Sequence, residues 1–114
     1  MEATPVTQSV TSLGLAAKLP QLTKSTLSRV VVDNPAVRVV CFTLDEGQSI
    51  DPHREPDAEV ITLLDGELEL TVGERTCTVI AGDVVYLAPG ERQGWIATKP
   101  SRLQQIIVSP GPVG

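Results

Sequence analysis

The residues of this chain best equipped for chemistry lie between Gly47 and Gly66, around its single histidine, His53. The stretch reads Gly47, five residues, His53-Arg54-Glu55, three residues, Glu59, six residues, Gly66. In extended backbone, residues two apart project to the same side, so His53 and Glu55 point together. Pro56 and Asp57 bend the chain, and Glu59 re-enters that side from the following strand. One imidazole and two carboxylates then converge on one volume, and the acids from Asp51 to Glu59 set up a field that attracts a cation. Two carboxylates in a low-dielectric space cannot both ionise cheaply. Either one keeps its proton, or a cation neutralises the pair, or His53 is charged between Glu55 and Glu59. The first outcome makes Glu55 and Glu59 candidate catalytic residues, an acid/base pair with unequal proton affinities. The second makes a metal centre.

These side chains need strands to hold them, and the sequence supplies strands. Leu27 to Val32 is β-branched and runs into the turn Asp33-Asn34-Pro35. Ala36 to Leu44 alternates, with Val37, Val39 and Cys41 on one face and Arg38, Val40 and Phe42 on the other. Glu59 to Leu64, Glu67 to Val72, Arg75 to Ile80, Val84 to Leu87, Gln93 to Ala97 and Leu103 to Val108 follow. Asp65-Gly66 reads as a tight type I′ hairpin between two of them. Short turns at Gly73-Glu74, Ala81-Gly82-Asp83, Pro89-Gly90 and Lys99-Pro100 separate the rest. Turn signals at this spacing, with no useful helical period, predict an all-β sandwich or barrel. Residues 1–20 read as an N-terminal arm: Met1 to Thr11 either pair with a sheet edge or a partner chain or are disordered, and Thr11 to Leu19 holds one helical turn ended by Pro20. Residues 21–110 form the domain, and 111–114 a tail.

Composition narrows the partners. The chain has 114 residues, 41% of them hydrophobic, enough for one domain with a real core. A net charge of −5 disfavours nucleic acid and anionic membrane faces, and 3% aromatic residues leave no base-stacking platform. Cys41 and Cys77 fit no zinc or redox spacing and each sits in an apolar run, so both are expected as buried free thiols. Reduced thiols, with no export signal and only Leu13 to Ala17 as an early apolar stretch, point to the cytoplasm. Alternation in Leu103 to Val108 turns one of Gln104 and Gln105 inward. Trp95 shares a face with Gln93. Arg54 points away from His53, and Tyr86 reads as a core or rim residue.

The Gly47–Gly66 spacing resembles the first motif of the cupin superfamily, with Glu55 standing where a second histidine is usual. The run Gly82-Asp83-Val84-Val85-Tyr86-Leu87-Ala88-Pro89-Gly90 is similar to the second motif. There Ala88 replaces a proline, Gln93 takes the histidine position and Ala97 the asparagine position. The resemblance covers about Leu27 to Val108. It implies a small double-stranded β-helix, or jelly-roll β-barrel, with a pocket where the motif residues meet. It also implies a homodimer and a small-molecule ligand, and a divalent metal (Mn, Zn, Fe or Ni) held by His53, Glu55, Glu59 and Gln93. One imidazole, two carboxylates and an amide oxygen form a harder donor set than three histidines, which disfavours Fe(II) and oxygen chemistry. The expected function is a metal- or metabolite-binding cupin, in one version a metal-dependent enzyme of dioxygenase or isomerase type. The alternative is a metal-free ligand-binding, sensor or structural cupin without turnover.

Overall fold

In the computed structural model, residues 4–109 are described. The C-terminal tail and the first three residues of the arm lie outside them. The described residues form a short helix, α1 (Leu15–Lys18), and nine strands: β1 (Thr26–Asp33), β2 (Val37–Leu44), β3 (Ser49–Arg54), β4 (Ala58–Asp65), β5 (Glu67–Val72), β6 (Arg75–Ile80), β7 (Val84–Leu87), β8 (Arg92–Ala97) and β9 (Ser101–Val108). All strand pairs are antiparallel. One sheet has the order β1-β2-β9-β4-β7 and the other β3-β8-β5-β6. The two face each other as a jelly roll, the double-stranded β-helix expected from the alternating pattern.

Register shows what fills the interior. In the first sheet Phe42, Leu103 and Leu63 stand side by side. In the second, Ala97, Leu68 and Val79 do the same, with Trp95, Leu70 and Cys77 one step along. Leu44, Leu63 and Leu103 have no exposed surface. Trp95 is buried rather than set at a surface, its ring edge-on to Phe42 with centroids 6.0 Å apart. The other face of β2 is covered near Cys41 and Thr43. Leu19, just after α1, is buried there, and its carbonyl accepts a hydrogen bond from Thr43 Oγ1 at 2.9 Å. The arm lies along β1, with the Thr4 amide donating to the Asp33 carbonyl at 2.7 Å.

Two expectations need correction and a third is narrowed. Asp65-Gly66 is not a hairpin, because β4 pairs with β7 and β9 while β5 pairs with β6 and β8. The chain crosses there from one sheet to the other. Gly66 has φ +91°, and a Cβ on it would stand 2.4 Å from the Pro100 carbonyl oxygen, so glycine is required by both conformation and space. Cys77 is exposed, not buried, because β6 is a sheet edge and its inward side opens onto a groove among the described residues. Tyr86 is not a core residue: it lies opposite Val60 on the outer face, 65% exposed, at the edge of the opening between β6 and β7.

Candidate functional site

The polar residues gather at one end of the barrel. β3 is an edge strand, which is why it tolerates Pro52. Its pairing with β8 slips between Ile50 and His53, and that bulge presses on Gly94, where a Cβ would stand 2.7 Å from the Pro52 nitrogen. The absence of a side chain at Gly94 lets the bulge form, and the bulge sets His53 beside Gln93. Val72 flanks Gln93 on its other side. Across the barrel Glu59 projects inward from β4, between Leu87 and Ile107.

The four sequence-predicted residues arrive as two pairs. His53 Nε2 lies 3.2 Å from Glu55 Oε1, with the side chains 34% and 41% exposed. His53 Nδ1 lies 3.0 Å from the Asp51 carbonyl oxygen. Both ring nitrogens therefore face acceptors at the rim. Glu59 and Gln93 are each only 1% exposed. Gln93 Nε2 donates to Glu59 Oε2 at 2.5 Å, and Gln105 Nε2 donates to Glu59 Oε1 at 2.8 Å. Gln105 is thus the inward member of the glutamine pair, facing Ile61 and Val40. Its sequence signal was a polar residue interrupting an apolar strand.

Burial raises the proton affinity of the Glu59 carboxyl, and the nearby Glu55 adds to that. Hydrogen bonds from Gln93 and Gln105 and the proximity of His53 act the other way without cancelling it. Gln93 Oε1 is buried and has no hydrogen-bond partner among the described residues. Turning the amide over would set oxygen against oxygen, which only a protonated Glu59 accommodates. The site therefore holds a dry carboxyl and an open acceptor side by side. Arg54 points away, as expected, and donates to the Gly90 carbonyl at 2.8 Å.

A divalent ion needs several donors converging on one point. Among the described residues, no three His, Cys, Asp or Glu side chains come close enough to share one. Both Glu59 oxygens accept amide N–H groups, and His53 faces Glu55 rather than Glu59. As arranged, His53, Glu55, Glu59 and Gln93 do not fit a metal ion.

Comparison with known proteins supplies the family. The family model for the cupin domain matches residues 40–109. No curated protein matches the chain. Among solved structures, a conserved protein of unknown function from Streptococcus pyogenes is 24% identical with a TM-score of 0.82, each chain covered to 97%. A cupin superfamily protein from Desulfitobacterium hafniense is 17% identical with a TM-score of 0.80, covering 86% of this chain and 90% of its own. An RmlC-like cupin with a double-stranded β-helix fold from Methanocaldococcus jannaschii is 17% identical with a TM-score of 0.67, covering 79% and 84%. At these identities the likeness speaks for the fold, and the family model, matching more than half of the chain, supplies the membership: the chain belongs to the cupin family.

Proposed function

We propose that this cupin binds a small polar metabolite that donates hydrogen bonds, seated on Glu59 and Gln93 inside the barrel. The observation that carries this reading is the unpartnered, buried Gln93 Oε1 beside a carboxyl. A buried acceptor left alone costs about 1–3 kcal/mol, which a ligand N–H or O–H would recover. His53 and Glu55, half-exposed at the rim, would take further polar groups of the same ligand. If the bound molecule is turned over, Glu59, whose proton affinity burial raises, is the proton holder. Two free thiols suit a reducing compartment such as the cytoplasm. Among the described residues, no helix is long and apolar enough to cross a membrane.

Trp95 is the only tryptophan, and it points inward two residues from Gln93, so its emission reports on the site. The test has two arms. Elemental analysis of the native protein measures Mn, Zn, Fe and Ni per chain. A panel of polyols, sugars and primary amines is then titrated against Trp95 emission. The expected result is no stoichiometric metal and a saturable response to one class, weakened at least about tenfold in Gln93→Leu. One metal per chain that disappears in Glu59→Ala would replace this reading with a metal centre.

We also infer a homodimer formed through the outer face of the five-stranded sheet. Tyr86, Val60, Ile106, Val39 and Val32 make one cross-strand row over all five strands, with no charge in it. Val84 at 64% and Val108 at 40% exposure extend it. Antiparallel sheets usually turn a polar face to water, so an apolar one suits a self-complementary contact. Light scattering should give twice the chain mass, and Val84→Lys with Val108→Lys should halve it. A wild-type chain that is monomeric at high concentration would sink the inference.

A further inference from the structure

The jelly roll is open along one side, where the edge strands β6 and β7 face each other without pairing. A groove of about 330 Å³ runs there, lined by Leu70, Val72, Arg75, Cys77, Val85 and Tyr86, among others. That volume lies in the range of small-molecule sites. Its floor is aliphatic: Leu70 is 2% exposed, and Val72 and Val85 pack on the core. Arg75 stands on the inward side of β6 opposite Val72, two residues from Cys77. The ion pairs of the described residues are His53–Glu55 and Lys99–Glu67, so Arg75 has no carboxylate partner among them. An aliphatic trough with one free guanidinium at its lip is complementary to a molecule with an apolar body and a single carboxylate.

We propose that this side opening is a second binding site, for small apolar monocarboxylates, with Arg75 holding the carboxylate and Leu70, Val72 and Val85 receiving the body. It adjoins the Glu59–Gln93 seat through Val72, which flanks Gln93, but neither Glu59 nor Gln93 lines it, and it does not depend on the reading given for that seat. The commitment to an anion comes from Arg75 alone. The protein as a whole carries a net charge of −5, which works against any anion that lacks a local partner.

Cys77 makes the test direct, because it is the exposed thiol of the groove while Cys41 is buried. Iodoacetate and iodoacetamide alkylate a thiolate in the same way. The sulfur attacks the methylene carbon, the S–C bond forms, the C–I bond breaks, and iodide leaves with the bonding pair. The thiol proton goes to buffer. The two reagents differ in the carboxylate that Arg75 would hold. Expected are saturable alkylation of Cys77 by iodoacetate, a rate above that of iodoacetamide, and protection by sodium benzoate but not by benzyl alcohol. Arg75→Gln should lower the iodoacetate-to-iodoacetamide ratio about tenfold and abolish the protection. A ratio unchanged by Arg75→Gln, or benzoate without effect, would overturn the proposal. A methyl NMR titration with benzoate reads binding without the thiol. Shifts centred on Leu70, Val72 and Val85 support the site, and shifts centred on Ile61 and Leu87 near Glu59, or none, refute it.

Discussion

The two ends of this barrel are built from the same strands and filled by opposite rules. At one end Leu44, Leu63, Leu68, Ala97 and Leu103 are sealed at 0–1% exposure and carry no polar side-chain atom. At the other, on continuations of those strands, Glu59 and Gln93 are sealed just as tightly and Gln105 joins them. Equal burial therefore has unequal consequences. The aliphatic end gains from every contact it makes, while the polar end must offset the desolvation of a carboxyl and leaves one amide oxygen without a donor. Apolar contact is concentrated at one end, and at the other lies a buried acceptor with no partner among the described residues.

Truncating the aliphatic end should show the largest effect. Leu103→Ala opens a cavity among Leu63, Phe42 and their neighbours, where register leaves little freedom to collapse. A loss of about 2–5 kcal/mol in urea unfolding is expected, with the slope unchanged. A loss below about 1 kcal/mol would mean that this end is not the tightly packed one. Gly66→Ala comes next. The new methyl meets the Pro100 carbonyl and Ser101 at a backbone φ of +91°, and both strain terms add. A loss of about 2–3 kcal/mol is expected, against the few tenths typical of an open turn.

The sequence disclosed these two ends unequally. Alternation in Glu67–Val72 and Ala36–Leu44 was enough to place the inward leucines, because a half-buried strand must alternate. Spacing is also enough to bring His53, Glu55 and Glu59 to one end, and Gln93 joins them through the resemblance to the second motif. What it did not disclose was the order of contact among them. An amide can serve a carboxylate or a metal, and only the geometry pairs Gln93 with Glu59 and His53 with Glu55. Asp65-Gly66 misled because a crossover between sheets and a hairpin both call for glycine at positive φ. Cys77 misled because an apolar run does not reveal that its strand will be a sheet edge.

Glu59→Gln tests the polar end through pH. Below the ordinary carboxylate range, Glu59 is protonated in folded and unfolded chains alike. As pH rises the unfolded chain loses the proton first, because burial and Glu55 raise the folded value. The folded state then binds more protons than the unfolded state, so this residue's contribution to stability falls with pH until the raised folded value is passed. The difference between wild type and Glu59→Gln in urea midpoints should therefore shift in favour of the variant as pH rises through that window. A difference that is flat with pH would mean that the carboxyl is not held in a dry site.

The smallest stability effect is expected at His53, and its smallness is informative. The His53–Glu55 contact is about a third to two-fifths exposed, so water and salt screen it. Exposed pairs of this kind contribute about 0–1 kcal/mol, and His53→Gln should stay within that range. The same substitution should still weaken the ligand that quenches or enhances Trp95 emission, because a rim residue meets the ligand rather than the core. A binding residue with no structural duty would separate the two ends most clearly. If His53→Gln instead unfolded the chain while leaving binding intact, the rim would be scaffold, and the ligand's contacts would be confined to Glu59 and Gln93.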